Sequence, residues 1–296
     1  MDFVFGQVVI LIPVHNRKAI TLNCLAHLQA QQIFDWCQVV VIDDGSTDGT
    51  TAAVQHQYSQ VTVLAGDGQL WWTGAIELGM RYAYQQGADY LVWLNDDTRL
   101  LPQTLERLIR YCASHSHVLV SAQCYETPAL AQPTYGGHYR QHLSHLHAHA
   151  APGKIVECIS LSGNLVCLPR SVIDQIGYPP SQQTPHYFGD VLYSWRARQA
   201  GFRLILLGDA PAVCPMNPGD TNWLLGAPSV GERLSRLRRP KSLLYPPGYW
   251  HFCRTVWPVL GGIVFLRLYV RLMLVLLARL LLPRPLLHRL KATRQS

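Results

Sequence analysis

Four clusters of acidic and polar residues precede Gly201, and together they could hold a cation and an oxygen-rich ligand. They are Pro13-Val14-His15-Asn16-Arg17, Asp43-Asp44-Gly45-Ser46-Thr47-Asp48, Asn95-Asp96-Asp97 and Phe188-Gly189-Asp190. Carboxylates brought together repel one another unless a cation or a donor-rich ligand joins them. A divalent metal with a diphosphate would do so, since a hard cation takes oxygen ligands. A planar carboxylate can also accept two donor groups, which suits the imide N–H of uracil or thymine. Arg17 could reach a phosphate with its guanidinium fork. Each cluster also has a plainer reading: paired Asp after a strand makes a common turn, and Asp at a helix start is a cap.

The first three clusters each follow an apolar, β-branched run, and an open parallel α/β sheet puts its ligand groups there, at the carboxyl ends of strands. Strands are predicted over residues 8–12, 38–42, 61–64, 90–94, 118–122 and 202–207. Helices are predicted over 18–32, 47–58, 73–86, 102–114 (with Pro102 in the first turn), 171–176 and 190–200. The alternation predicts a mostly parallel sheet with helices on its faces and right-handed crossovers. Residues 127–152, rich in Pro, Gly and His, are expected to run over the surface. Regular structure is expected again over 155–168. His138, His142, His145 and His149 would share one face of a helix. If the segment is helical, zinc could use such a face, but no carboxylate or Cys lies among them, and a solvated or acceptor-facing segment is the expected reading.

In order and spacing these clusters resemble family 2 glycosyltransferases, inverting enzymes with the GT-A nucleotide-sugar fold, from about Val8 to Gly201. The resemblance implies a fold and a set of roles. Asn95-Asp96-Asp97 is similar to the family's D-x-D element, whose last Asp holds Mg²⁺ or Mn²⁺; Asp97 takes that position and Asn95 replaces the first Asp. Asp43-Asp44-Gly45-Ser46 matches the family's nucleoside-binding turn, and Pro13, His15, Asn16 and Arg17 match its first donor loop. Trp72 and Gly74 lie in a Gly-containing donor loop that resembles the subset including bacterial rhamnosyltransferases. One of the two Trp is expected in the core and the other toward the sugar. Gly163 and Arg170 resemble the segment ahead of the catalytic helix. Asp190 falls on the catalytic base, with Gly189 where the family carries Glu and Leu192 where a second Asp is common. The His that many relatives carry after the last strand is missing, and Cys214 or Asn217 stands there instead.

Composition narrows the classes. Apolar residues make up 49% and charged residues 15%, which excludes a disordered chain. The net charge of +7 is uneven, with Arg and Lys crowded into residues 233–296. That asymmetry points to an anionic surface; no nucleic-acid motif accompanies it, so nucleic acid is not an expected partner. The eight Cys form no C-x-x-C pair and the chain opens without a signal-like segment, so free thiols in a reducing cytosol are expected. Residues 259–282 are apolar but interrupted by Arg267, Arg271 and Arg279, all on one helical face. With Arg233, Arg236, Arg238, Arg239 and Lys241 upstream, the pattern is that of a helix lying in a membrane interface. A helix packed on a partner chain and a true span are the alternatives.

The expectation is an α/β, GT-A-type domain over 1–215, with a nucleotide-sugar half to about 125 and an acceptor half after it, then a basic, apolar helical extension over 216–296. The expected activity is inverting transfer from a UDP- or dTDP-sugar to a glycan or glycolipid acceptor. The expected place is the inner face of the cell membrane, bound peripherally. Two rivals remain at this level. A nucleotidyltransferase also uses paired Asp on an α/β sheet, but its Gly-rich first loop is absent from residues 13–17. A degenerate sugar-binding or scaffold subunit would account for the missing Glu and His.

Overall fold

The computed structural model describes residues 6–141, 144–216, 231, 234–235 and 237–281. It divides into two compact units, Met1–Met216 and Asn217–Ser296.

The first unit is built on β1 (Val8–Val14), β2 (Gln38–Asp43), β3 (Thr62–Ala65) and β4 (Tyr90–Leu94). β1 pairs in parallel with both β2 and β4, and β2 with β3, so all four carboxyl ends share one sheet edge. Their runs are apolar on both faces because both faces are covered, as parallel sheets require. On one face lie α1 (Lys18–Ala30), α2 (Thr50–Gln57) and α4 (Thr104–Ser114), packed on Ile10, Ile12, Val41 and Val92. On the other lie α3 (Trp71–Gln85), α5 (Ser171–Ile176) and α6 (Gly189–Gln199), packed on Leu11, Ile42, Leu91 and Trp93. Each fully buried aliphatic side chain contributes roughly 1.5–3 kcal/mol, so these two cores are the main stabilising term.

Beyond β4 the sheet becomes mixed. β11 (Leu165–Pro169) runs antiparallel to β4 and to β6 (Val118–Tyr125), and β12 (Arg203–Val213) runs parallel to β6. Short strands β5 (Arg99–Leu100) and β9 (Ile155–Glu157) add antiparallel to β12. The path is β3-β2-β1-β4-β11-β6-β12-β5. The alternating order thus holds, with one antiparallel strand inserted between two parallel groups.

Three expectations are corrected. Residues 127–152 are not merely a surface excursion. They contain β7 (Gly137–Gln141) and β8 (Ser144–Ala148), which form a second sheet with β10 (Ser160–Leu161). The His run is therefore an antiparallel hairpin, not a helix: His138 and His147 are cross-strand partners with ring centroids 4.9 Å apart. His142 lies outside the described residues. Pro102 stands outside α4, whose start is Thr104, because Gln103 takes a left-handed φ of 65° as N-cap. All eight Cys are buried and unbridged.

The second unit contains α7 (Pro246–Val256) and α8 (Gly261–Leu281), which pack on each other. Tyr249, Phe265 and Tyr269 form its aromatic centre, and Tyr269 Oη donates to Leu244 O at 2.7 Å. Leu272 and Leu276 of α8 are buried. Ile263, Leu266, Val270, Met273, Leu274 and Leu277 are exposed, and their spacing makes one apolar stripe. Exposed Arg267 and Arg271 border that stripe. Arg233, Arg236 and Leu282 lie outside the described residues. No described helix is long and apolar enough to cross a membrane.

Gly79 marks the crossing of α3 over β1 and β2. A Cβ there would lie 2.8 Å from Ile42 Cδ1 and 3.1 Å from Leu11 Cδ2. Overpacking of this kind costs about 1–3 kcal/mol. Gly79→Val should lower the urea midpoint accordingly at unchanged slope; an unchanged midpoint would show that the two side chains yield.

Candidate active site

All four predicted clusters meet at the sheet edge formed by the ends of β1 to β4. His15, Asn16 and Arg17 follow β1, Asp43 ends β2, and Asn95, Asp96 and Asp97 follow β4. Because β11 is antiparallel to β4, its start lies at the same edge: Leu165 pairs with Leu94, and Asn95 N donates to Asn164 O at 2.9 Å. Gly163 is thereby carried to the site, and α6 presents Asp190 beside it.

Asp44 organises the loop after β3. Its Oδ1 accepts from Gly68 N at 2.8 Å and Leu70 N at 3.1 Å, and its Oδ2 from Trp71 N at 2.8 Å. Asp43 Oδ1 accepts from Ser46 N at 2.9 Å, and Oδ2 from Thr51 Oγ1. Both carboxylates are buried. Above them His15, Asn16 and Gly45 are exposed. His15 Nδ1 donates to Asp44 O at 2.6 Å, which leaves Nε2 to accept from Asn16 Nδ2 at 3.0 Å. Asn16 Oδ1 accepts from Thr47 N at 2.7 Å, and Asn16 N donates to Ser46 Oγ at 2.7 Å. Pro13, at the end of β1, pairs with Ile42. Gly45 has φ 68°, and a Cβ on it would lie 2.9 Å from Gly68 N, so only glycine lets the two loops close. Asp48 bridges two helix starts, accepting from Lys18 N at 2.9 Å and Thr50 N at 3.0 Å.

Arg17 spans the acidic pair: Nη1 lies 3.2 Å from Asp96 Oδ1 and Nη2 2.8 Å from Asp97 Oδ2. The Asp96 side chain is 1% exposed and also accepts from Thr21 Oγ1 at 3.0 Å, whereas Asp97 is 26% exposed. Burial pushes the Asp96 carboxyl up to about 6; Arg17 opposes that rise and Asp97 adds to it. Cys214 Sγ, in the place of the absent His, accepts from Asn164 Nδ2 at 3.3 Å and lies 3.9 Å from Asp97 Oδ1. Burial, then Asp97, holds the Cys214 thiol up at about 11, so it stays protonated. Asn217 lies outside the described residues.

No group of three or more His, Cys, Asp or Glu converges as a metal cage among the described residues. One reachable carboxylate, beside a buried second one, still suits Mg²⁺ or Mn²⁺, which are commonly bound through one or two carboxylates with substrate phosphates and water completing the shell. Asp97 is the residue that fits.

Across the site, Trp72 Nε1 donates to Asn95 Oδ1 at 2.7 Å, and its ring meets Trp93 edge-on at 5.7 Å. A Cβ on Gly163 would lie 2.5 Å from Trp72 Cη2 and 3.0 Å from Asp190 Cβ, so the glycine lets ring, loop and carboxylate stack. Both Trp are half-buried: Trp72 packs against the core, and Trp71, at φ 55°, lies edge-on to His186. Gly74 is buried in the first turn of α3, against Leu70. Asp190 Oδ2 accepts from Gly163 N at 2.7 Å and Oδ1 from Val191 N at 2.8 Å. Burial raises the Asp190 carboxyl above its ordinary range, and the two N–H donors oppose the rise. Gly189 is explained by Thr73, since a Cβ at 189 would lie 2.1 Å from Thr73 Oγ1. Arg170 plays a structural part, donating to Tyr84 O and stacking on the Tyr84 ring.

Thr21 has a signal in the sequence, lying one helical turn after Arg17 and so on the same side of α1. Asn164 stands beside Gly163 in the stretch that resembles the family's segment, but only the fold gives it a contact. Thr73 has no such signal, since its contacts are long-range.

Residues 9–145 match the family model described as Glycosyl transferase family 2. No curated protein sequence matches the chain. Among solved structures, the chain is similar to the mannosyltransferase PcManGT from Pyrobaculum calidifontis in complex with GDP-Man and Mn²⁺, at 16% identity and TM-score 0.57, covering 98% of this chain and 80% of that one. It is similar to GalNAc-T7 with UDP, GalNAc and Mn²⁺, at 11% identity and TM-score 0.61, covering 87% and 52%. It is similar to S. aureus TarS 1–349 in complex with UDP-GlcNAc, at 13% identity and TM-score 0.57, covering 84% and 81%. At these identities the likeness is one of fold, the GT-A type. With the family 2 match over residues 9–145 and this fold, the chain is an enzyme of the glycosyltransferase class.

Proposed function

We propose that the protein is an inverting glycosyltransferase that moves a sugar from a nucleoside-diphosphate donor to a hydroxyl of a lipid-linked or polysaccharide acceptor. The observation that carries this reading is the shared sheet edge, where Asp97 and Arg17 stand on one side and Asp190, Gly163 and Trp72 on the other. The donor is a UDP- or dTDP-sugar held by the 13–17 loop and the 43–45 turn, with Asp43 and Asp44 recognising it or holding those loops from beneath. Trp72, stacked on Gly163, offers an apolar wall suited to the methyl group of a deoxyhexose such as rhamnose.

Asp190 takes the proton of the acceptor hydroxyl as that oxygen attacks the anomeric carbon. Its raised pKa makes it a stronger base than an exposed Asp, and its two N–H donors fix its direction. A single carboxylate base suits a single displacement, hence inversion. Asp97 holds the divalent ion, which, when bound, neutralises charge on the leaving diphosphate. Arg17 orients that diphosphate.

The 216–296 extension places the enzyme peripherally on an anionic membrane, on the cytoplasmic face. Its support is the exposed apolar stripe of α8 bordered by Arg267 and Arg271, with exposed Arg238 and Arg239 upstream.

Asp190→Asn should keep shape and donor binding while lowering transfer by about 10²–10⁴-fold. Near-normal transfer by this variant sinks the base assignment. The base works deprotonated, so the rate is present above its pKa and lost below it. Because that pKa is raised, the acid limb of kcat/KM should lie above the usual Asp range of about 3.5–4. A limb at the ordinary value would remove burial as the tuning device.

Asp97→Ala should weaken binding of UDP or dTDP in the presence of Mn²⁺, read by calorimetric titration. If EDTA leaves wild-type nucleotide binding and transfer unchanged, the metal has no part in the reaction.

Leu266→Asp combined with Leu274→Asp should abolish flotation with phosphatidylserine-containing vesicles at low salt. Each nearby basic residue is worth about 1 kcal/mol on such a surface, so high salt should weaken wild-type flotation as well. Wild-type protein that never floats would make the stripe a protein–protein surface.

A further inference from the structure

We infer that Arg17 is an internal counter-ion for the Asp96–Asp97 pair, and that it releases Asp97 to a divalent cation when a diphosphate is present to receive its guanidinium. The inference rests on the nucleotide-sugar reading above. Arg17 forks across both carboxylates, at 3.2 Å and 2.8 Å. The two partners differ in access. Asp96 is sealed beneath Thr21, while Asp97 is reachable, and the guanidinium lies against Asp97 Oδ2. A cation approaching Asp97 therefore meets a like charge already seated there.

Arg17 is able to leave. Its side chain is 37% exposed, while its backbone is fixed as the N-cap of α1, with Thr21 N donating to Arg17 O at 2.9 Å. The fork can swing on its stem without unwinding the helix. Phosphate is the oxyanion a guanidinium pairs with bidentately, as it does with carboxylate. Exchanging one oxyanion for the other costs little, whereas exposing Asp96 with no counter-charge costs more. Cation and diphosphate then assist each other reciprocally, with Arg17 as the shared positioning residue.

The test titrates Mn²⁺ into full-length protein, following free Mn²⁺ by electron paramagnetic resonance, with and without UDP or dTDP. Wild type should bind Mn²⁺ weakly alone and roughly 5–150-fold more tightly with the nucleotide, the usual span of such coupling. Arg17→Gln should bind Mn²⁺ more tightly than wild type without nucleotide, bind the nucleotide more weakly, and show a smaller coupling. Arg17→Lys, which keeps a point charge but loses the fork, should lie between. If Arg17→Gln binds Mn²⁺ no better than wild type without nucleotide, while both ligands still bind wild type, the inference is overturned and the nucleotide-sugar reading stands. If neither Mn²⁺ nor either nucleotide binds wild type, both fall. Should Arg17→Gln fail to fold, Arg17→Lys decides: Mn²⁺ binding no tighter than wild type without nucleotide overturns the inference.

Discussion

The Asp44 carboxylate, accepting three backbone N–H groups from residues 68, 70 and 71, is the contact on which the site depends. It ties the loop after β3 to the end of β2 and sets where α3 begins. Trp71 is held there at φ 55°, a conformation that costs a non-glycine residue about 1–2 kcal/mol. A hydrogen bond to a charged group contributes about 1.5–3 kcal/mol, so the bond to Trp71 N alone offsets that strain. The next residue, Trp72, is then aimed at Asn95 and laid over Gly163. Gly163 in turn supplies the N–H that orients Asp190. A carboxylate with no expected role in proton transfer thus positions the one that has it.

Charge at the opposite side of the site is balanced locally. Two adjacent carboxylates at a strand end would repel, and one of them, Asp96, is buried. Burial raises its pKa to about 6, and Arg17 together with Thr21 limits that rise. Arg17 thus supplies a counter-charge to both carboxylates and yet leaves Asp97 reachable. The buried, protonated Cys214 beside Asp97 adds a weak donor and no negative charge. A hard cation would therefore gain little from it, which leaves Asp97 as the ligand the proposed function calls for.

The mixed sheet makes the two halves into one site. β1 to β4 could present only groups that follow parallel strands. By entering antiparallel between β4 and β6, β11 begins where they end and brings residues 163 and 164 to them. β12, parallel to β6, ends at the same edge and delivers Cys214. The helical extension is a separate unit that carries its own exposed apolar stripe.

Much was legible in the residues themselves. The apolar runs at 8–12, 38–42 and 90–94 are too uniformly buried in character to be anything but strands covered on both faces, and the acidic clusters follow them directly. That alternation locates the donor loops, because parallel strands share a carboxyl edge whatever their order. The His spacings of 3 and 4 would also fit a helix face, while cross-strand pairing of His138 with His147 is a matter of partner, not period. Gly189 stands where the resemblance implies Glu; only the packing of Thr73 against it shows why no side chain fits. The saturation of Asp44 by backbone N–H groups, and the fork of Arg17 across Asp96 and Asp97, join residues separated by 24 to 80 positions. Local pattern reports which residues are apolar, charged or turn-forming, and so determined the strands and the candidate groups. Which of those groups are free to meet a ligand, and which are consumed in holding the loops, was decided by long-range contacts that exist only once the sheet has brought its edges together.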